Sequence, residues 1–362
     1  MSAQTLRVKK TLYPIDKIQK GIFSKAHSLN EIRALEFCYA WLNGQEKFTL
    51  QTSGSTGTPK KISVTREQLK ASAALSISAL GLKKEFTALV CLDTRYIAGL
   101  MMLVRALEAG MNLHIVEPEA NPFETLSEEI SIDFTALVPY QIQAILSSNR
   151  KEKFSKTKIV LIGGASLSNS LREILTGMPG AFYATYGMTE TLSHIALQRL
   201  NGSNQTNYFH LLPGITVQTD PRGCLVIRAP HLGAEPIVTN DLVEIVDTNR
   251  FLLLGRIDNV INSGGVKIFP EKIESVIEGI FSDLKLNVRF FISGVPDLQF
   301  GEKVILCIEG IPLQETMAEK LWQILKDTLS RFEIPKEIRY VATFIKTDTG
   351  KINKPKTLAS VP

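Results

Sequence analysis

The sequence predicts an α/β chain in two parts. Residues 1–255 form a large N-terminal domain with mostly parallel sheets flanked by helices plus a small β region, and residues 256–362 form a smaller α+β C-terminal domain. Three observations predict this. Short apolar runs bounded by turn residues alternate with helical patterns through the first half, as in a sheet covered on both faces. From about residue 190 polar connections and β-rich stretches take over. After residue 255 a separate set of strands and helices follows, roughly 100 residues long and large enough to fold as a unit.

The elements follow in order. SLNEIRALEFCYAWLNG (28–44) has helical apolar spacing, with Ser28 and Glu31 as a capping box and Gly44 as its stop. KFTLQ (47–51) reads as a strand, and a Ser/Thr/Gly loop follows it. Thr65 and Gln68 cap a second helix that ends at Gly81. FTALVCL (86–92) precedes a helix closed by Gly110, and NLHIV (112–116) precedes a helix around 122–130. FTALV (134–138) and KIVLIG (158–163) are each followed by helical segments, and AFYAT (181–185) is one more strand. NGSNQTNYF (201–209) is loop-like, while GCLVIRAP (223–230) and DLVEIV (241–246) suggest antiparallel β structure. The last unit carries a helix opened by Pro270, strands at 286–294 and 303–309, a helix at about 315–331 and a strand near 337–345.

Composition narrows the function classes. The 362 residues, 44% hydrophobic and 21% charged, suit a globular chain of two or three domains. The net charge of +5 is spread along the chain, which fits an anionic small substrate and not a nucleic-acid surface. Cys38, Cys91, Cys224 and Cys307 are scattered without metal or disulfide spacing. The N-terminus has no apolar leader core and no stretch reaches membrane-spanning length, so a reduced, cytoplasmic setting is expected.

The chemistry starts at Thr52-Ser53-Gly54-Ser55-Thr56-Gly57-Thr58-Pro59-Lys60-Lys61. Hydroxyls and small residues expose backbone donors, and the lysines add positive charge, a combination that suits a polyphosphate. No Walker A spacing fits here.

Read whole, the segment resembles the phosphate loop of the acyl-adenylate-forming superfamily of acyl-CoA synthetases and adenylation domains. Further motifs resemble the superfamily in the same order. They are Gly163-Gly164-Ala165; Tyr186-Gly187-Met188-Thr189-Glu190; Asp241; Gly255-Arg256-Ile257-Asp258-Asn259; Ser263-Gly264-Gly265; Pro270 with Glu271 and Glu274; Gly294-Val295-Pro296-Asp297 with Gly301-Glu302; and Thr349-Gly350-Lys351-Ile352. The resemblance runs from about residue 50 to the C-terminus.

The resemblance implies an ATP-dependent acid–thiol ligase that forms an acyl-adenylate and passes the acyl group to coenzyme A. By it, residues 52–57 and Lys60 hold phosphate, Gly163–Ala165 lie along the adenine, and Tyr186 stacks on it within the Tyr186-Gly187-Met188 turn. Thr189 meets the phosphates and Glu190 holds magnesium, a hard ion suited to oxygen ligands. Asp241 and Arg256 meet the ribose. Lys351 stabilises charge in adenylation, as a cation aimed at a phosphoryl transfer does. The C-terminal domain is a mobile lid that rotates about Asp258 and brings Ser263–Gly265 to the pantetheine thiol.

Some features depart from the superfamily. Only about 50 residues precede the phosphate loop, Asn240 stands where glycine is usual, and Asn259 replaces a second Asp. The stretch 92–99 carries Asp93, Arg95 and Tyr96 in place of the usual Pro and His. Within the superfamily, the compact length and TETLSHIALQRL (189–200) look most like the ligases that join o-succinylbenzoate to CoA in menaquinone biosynthesis. That substrate keeps a second carboxylate and a ketone, which makes Arg95, Tyr96, Ser193 and His194 candidate pocket residues. A CoA ligase for another acid, a stand-alone adenylation domain acting on a carrier, and a non-catalytic nucleotide-binding protein are the alternatives. The expected partners are a small carboxylic acid, ATP and CoA, with no nucleic acid and no membrane span. A homodimer is compatible with the sequence.

Overall fold

The computed structural model describes residues 4–24, 28–51, 61–346 and 352–360. The chain opens with a hairpin, β1 (Thr5–Val8) and β2 (Thr11–Pro14), then α1 (Ile15–Gln19) and α2 (Leu29–Leu42). Ser28 accepts from the Glu31 amide and Glu31 returns to the Ser28 amide, closing the capping box. β3 (Lys47–Gln51) and β4 (Lys61–Thr65) pair antiparallel. Thr65 and Gln68 form the second box, opening α3 (Arg66–Leu80), which ends on left-handed Gly81.

The alternating region comes next. β5 (Thr87–Val90) leads to α4 (Ile97–Ala109), closed by left-handed Gly110. β6 (Asn112–Ile115), β7 (Phe134–Leu137), α5 (Pro139–Leu146), α6 (Lys151–Ser155), β8 (Ile159–Ile162), α7 (Asn169–Thr176) and β9 (Ala181–Gly187) follow. The strands β10 (His194–Arg199), β11 (Phe209–Leu211), β12 (Thr216–Thr219), β13 (Cys224–Arg228), β14 (Ile237–Asp247) and β15 (Arg250–Arg256) make the β-rich part. Beyond them lie β16 (Ile261–Ser263), β17 (Val266–Ile268), α8 (Pro270–Asp283), β18 (Phe290–Asp297), β19 (Gly301–Glu309), α9 (Glu315–Thr328), β20 (Glu337–Val341) and α10 (Lys354–Ala359).

The large sheet has thirteen strands in the order β12-β13-β14-β15-β11-β10-β9-β8-β7-β5-β6-β1-β2. From β1 through β6, β5, β7 and β8 to β9 the neighbours are parallel. From β9 on through β10 they are antiparallel. The expected small β region is therefore the continuation of the same sheet. The turn after β9 is short enough to send the chain straight back as β10. β16, β17, β18, β19 and β20 form a second sheet with its own apolar cluster under α8 and α9. Strand β1 extends the parallel half at its edge by pairing with β6, a long-range pairing without a local signal.

One expected helix is absent. Residues 122–130 form successive turns. The Asn121 side chain accepts from the Phe123 amide and donates to Glu124, and the backbone bonds there span only three residues. Phe123 and Leu126 are buried, so their helical spacing marks two anchors of a turn chain. No helix among the described residues is long and apolar enough to cross a membrane.

Candidate active site

The carboxyl ends of β8 and β9 lie side by side, where ligands gather in parallel sheets. After β8 the chain emerges at Gly163, and Gly164 and Ala165 are exposed. A Cβ on Gly163 would stand 2.5 Å from Thr185 Oγ1, so only glycine lets this turn sit against β9. A Cβ on Gly187 would meet the Ser193 carbonyl oxygen at 2.3 Å. That close approach lets the 188–193 turn fold back. The turn is held by Thr191, which is fully buried; its Oγ1 accepts from the Met188 amide at 2.9 Å, and its one proton lies between the Ser193 carbonyl at 2.7 Å and the Met188 carbonyl at 3.0 Å. Thr189 is half-buried and Glu190 exposed at the mouth. Thr191 carried no signal in the sequence beyond being a Thr in a turn.

Tyr186, on β9, is 7% exposed, its ring packed edge-on against Phe209 and Phe251 at 5.8 and 5.1 Å. Its hydroxyl donates to Asp241 Oδ2 at 2.6 Å. Burial, then the Asp241 charge, raises the phenol well above its ordinary range and keeps it a donor. Asp241 on β14 faces Arg256 on β15 in register, and Arg256 donates to Asp241 Oδ1 at 3.2 Å and to Asp258 at 2.8 Å. Asn240 donates to both Asp258 oxygens at 3.1 and 3.2 Å and accepts from Arg222 at 3.1 Å. The hydrogen bond from Arg256 holds Asp258 below the usual carboxylate range, against the opposing effect of burial. Tyr186, Asp241 and Arg256, separated by up to 70 positions in the chain, thus form one hydrogen-bonded chain that ends at Asp258.

A second cluster lies behind the 188–193 turn. Arg105, in the middle of α4, is 2% exposed and donates to Ser193 Oγ and, at 3.5 Å, to His194 Nδ1. His194 is 8% exposed, and its Nε2 lies 3.1 Å from Ser76 Oγ. Arginine can only donate, so Nδ1 is the acceptor and Nε2 carries the proton. Ser76 takes that proton's bond and passes its own to the Ser72 carbonyl at 3.4 Å. Burial, then the Arg105 charge, pushes His194 well below its ordinary value, so the ring is neutral. Burial also lowers Arg105 to about 9, which leaves it protonated at neutral pH. It has no carboxylate partner among the described residues, and its Nε is buried without a hydrogen bond. Nothing in the sequence singles out Arg105, because an arginine in an apolar helix pattern looks like a surface position.

The remaining candidates lie elsewhere. Arg95 is half-exposed, its Nε bonded to both Asp93 oxygens at 3.1 and 2.9 Å, and Tyr96 caps α4 without a side-chain bond. No described hydrogen bond joins either to Ser193 or His194. Ser263, Gly264 and Gly265 turn between β16 and β17, with the Gly264 amide on the Phe300 carbonyl at 2.8 Å. No described hydrogen bond joins them to Tyr186, Asp241 or Arg256. Thr52, Ser53, Gly54, Ser55, Thr56, Gly57, Lys60 and Lys351 lie outside the described residues.

Known proteins are similar to this chain in sequence and fold. The sequence profile of the AMP-binding enzyme family matches residues 48–221. An AMP-forming acyl-CoA synthetase/AMP-acid ligase II-like protein of Dyadobacter fermentans is 41% identical, with 95% of this chain and 97% of that one aligned at a TM-score of 0.64. The chain belongs to the AMP-binding enzymes. Among other AMP-binding enzymes, the 2-succinylbenzoate–CoA ligase of Listeria monocytogenes serotype 4b is 25% identical over 94% of this chain and 76% of its own length. The Bacillus subtilis o-succinylbenzoate coenzyme A synthetase, solved with ATP and magnesium, aligns at a TM-score of 0.71 with 20% identity, over 86% of this chain and 69% of that one, and shares the fold.

Proposed function

We propose that this AMP-binding enzyme joins o-succinylbenzoate to ATP, forming acyl-AMP and pyrophosphate, and then transfers the acyl group to coenzyme A. The observation that carries the substrate is Arg105, a buried guanidinium with a spare donor and no carboxylate partner among the described residues. It sits behind the turn that follows the Tyr186–Glu190 motif. An aryl acid activated at the phosphate end would extend a second carboxylate toward it. The curated relatives are named for that substrate, which supports the same reading. Ser193 and neutral His194 add polar groups for the ketone.

Each residue then has a role. Adenine lies between the Gly163–Ala165 backbone and Tyr186. The ribose hydroxyls exchange with the bonds that Asp241 and Arg256 now make to each other. Thr189 donates to phosphate. For magnesium, the described residues offer no cluster of three ligands. Exposed Glu190 with nucleotide oxygens fits an ion that takes one or two carboxylates and completes its shell with phosphate and water. Magnesium when bound neutralises phosphate charge. Residues 52–57, Lys60 and Lys351 complete the phosphate side. The substrate carboxylate attacks the α-phosphorus and pyrophosphate leaves. Residues 256–362 act as a lid turning about Asp258, after which the CoA thiolate attacks the acyl carbon past Ser263–Gly265 and AMP departs. A cytoplasmic setting agrees with four buried cysteines that are all free thiols.

The test is a panel of acids followed by AMP and thioester release. o-Succinylbenzoate should give the highest kcat/KM. A medium-chain fatty acid or plain benzoate outperforming it would overturn the substrate assignment.

A further inference from the structure

A cavity of about 510 Å³ lies away from the nucleotide residues, at the carboxyl ends of β1 and β6. Four strand spacings separate β6 from β9 in the sheet, so it stands roughly 19 Å across from Tyr186. Ligands in parallel sheets bind at that edge. Three groups of its lining lack partners among the described residues. His114, 4% exposed, sits beside Arg7 in register, and its ring makes no hydrogen bond with a described residue. Arg7 forms no ion pair among the described residues. In the same lining, Glu117 Oε1 is buried without a hydrogen-bond partner among the described residues. Lys9, also in the lining, is already held by Glu31 at 3.2 Å. Val116 and Leu126 supply an apolar floor.

Burial, then the charges of Arg7 and Lys153, lowers His114 to about 4, so it is a neutral donor in a positive corner. Burial, then the charge of Glu31, raises Glu117, whose bare oxygen calls for a hydrogen-bond donor. The two ends make opposite demands: an oxyanion for Arg7 and His114, an ammonium or hydroxyl for Glu117.

We propose that this cavity binds a small organic oxyanion that also carries an ammonium group, its anionic end on Arg7 and His114 and its amine on Glu117. The anion is a phosphomonoester or a carboxylate, and the probes distinguish them: phosphoethanolamine for the first, 4-aminobutyrate for the second, inorganic phosphate for an anion alone. Isothermal titration on the full-length protein should show one of the two zwitterions binding about tenfold or more tighter than inorganic phosphate. Arg7→Gln and Glu117→Gln should each weaken that binding by about tenfold, a charge-assisted bond's share. Without probe, both variants should retain the wild-type rate of carboxylate-dependent pyrophosphate exchange, which also reports that they are folded. His114→Asn provides a second variant at the anion end. Absence of heat with every probe on the unaltered protein overturns the proposal. So does zwitterion binding that none of the three substitutions weakens, or inorganic phosphate binding as tightly as the zwitterions.

Discussion

Replacing Arg105 by Met separates recognition from folding at one residue. The guanidinium is 2% exposed, bonds among the described residues only to Ser193 and His194, and is lowered from 12.5 to about 9 by burial. That shift disfavours the charged form inside the protein by on the order of 5 kcal/mol. For a base with a depressed folded value, the penalty is fully present below pH 9 and lifts as pH rises from there toward 12.5. At neutral pH, Met of similar length should therefore leave stability unchanged or raise it, by up to about 4 kcal/mol. A substrate carboxylate on Arg105 would contribute about 1.5–3 kcal/mol, so kcat/KM for o-succinylbenzoate should fall about 10–150-fold. Benzoate, lacking the second carboxylate, should change by no more than about threefold. In the wild type, the preference for o-succinylbenzoate over benzoate should shrink as pH rises through about 9, where Arg105 loses its charge. The assays are coupled AMP release with both acids and a thermal melt. Equal losses for the two acids together with a lower melting temperature would make Arg105 a structural residue and refute the reasoning.

Tyr186→Phe removes one hydrogen bond to Asp241, so the ATP KM should rise about two- to tenfold with little change in kcat. Asp241→Asn strikes both Tyr186 and Arg256 and should raise it about 10–100-fold; pyrophosphate exchange over a range of ATP concentrations measures both. Lys351→Ala should abolish adenylate formation while largely sparing thioester formation from preformed acyl-AMP, and equal loss of both half-reactions would remove the proposed lid role. Glu337, held at about 2 by the hydrogen bonds of Arg339 and Lys303, supports the smaller sheet. Its contribution, about 1 kcal/mol after solvent screening, is full above pH 4.5 and lost as pH falls toward 2. Glu337→Gln should therefore lower the melting temperature at pH 7 and become indistinguishable from wild type at pH 2.

Local chemistry made much of this protein legible in one dimension. Ser28 with Glu31 and Thr65 with Gln68 mark helix starts because a cap and its N3 partner are three residues apart, and Gly81 and Gly110 mark ends because a left-handed backbone is a local demand. The ordered glycine, tyrosine and aspartate motifs marked a candidate nucleotide site for the same reason, since each is a short segment with its own chemistry, and the structure brings Tyr186, Asp241 and Arg256 together. Residues 122–130 take turns for a local reason that the apolar spacing hid, because the Asn121 side chain takes the backbone amide two residues on and donates to the Glu124 side chain three residues on. Tertiary structure alone decided two matters. The β-rich part joins the parallel sheet because β10 pairs with β9. Above all, Arg105 became a candidate specificity residue only when α4 packed against the 188–193 turn. Whether an arginine in an apolar helix is solvated or entombed depends on what covers it, and the covering residues, Ser193 and His194, lie almost ninety positions away. Burial and long-range pairing are properties of the assembled chain, and no local pattern encodes them.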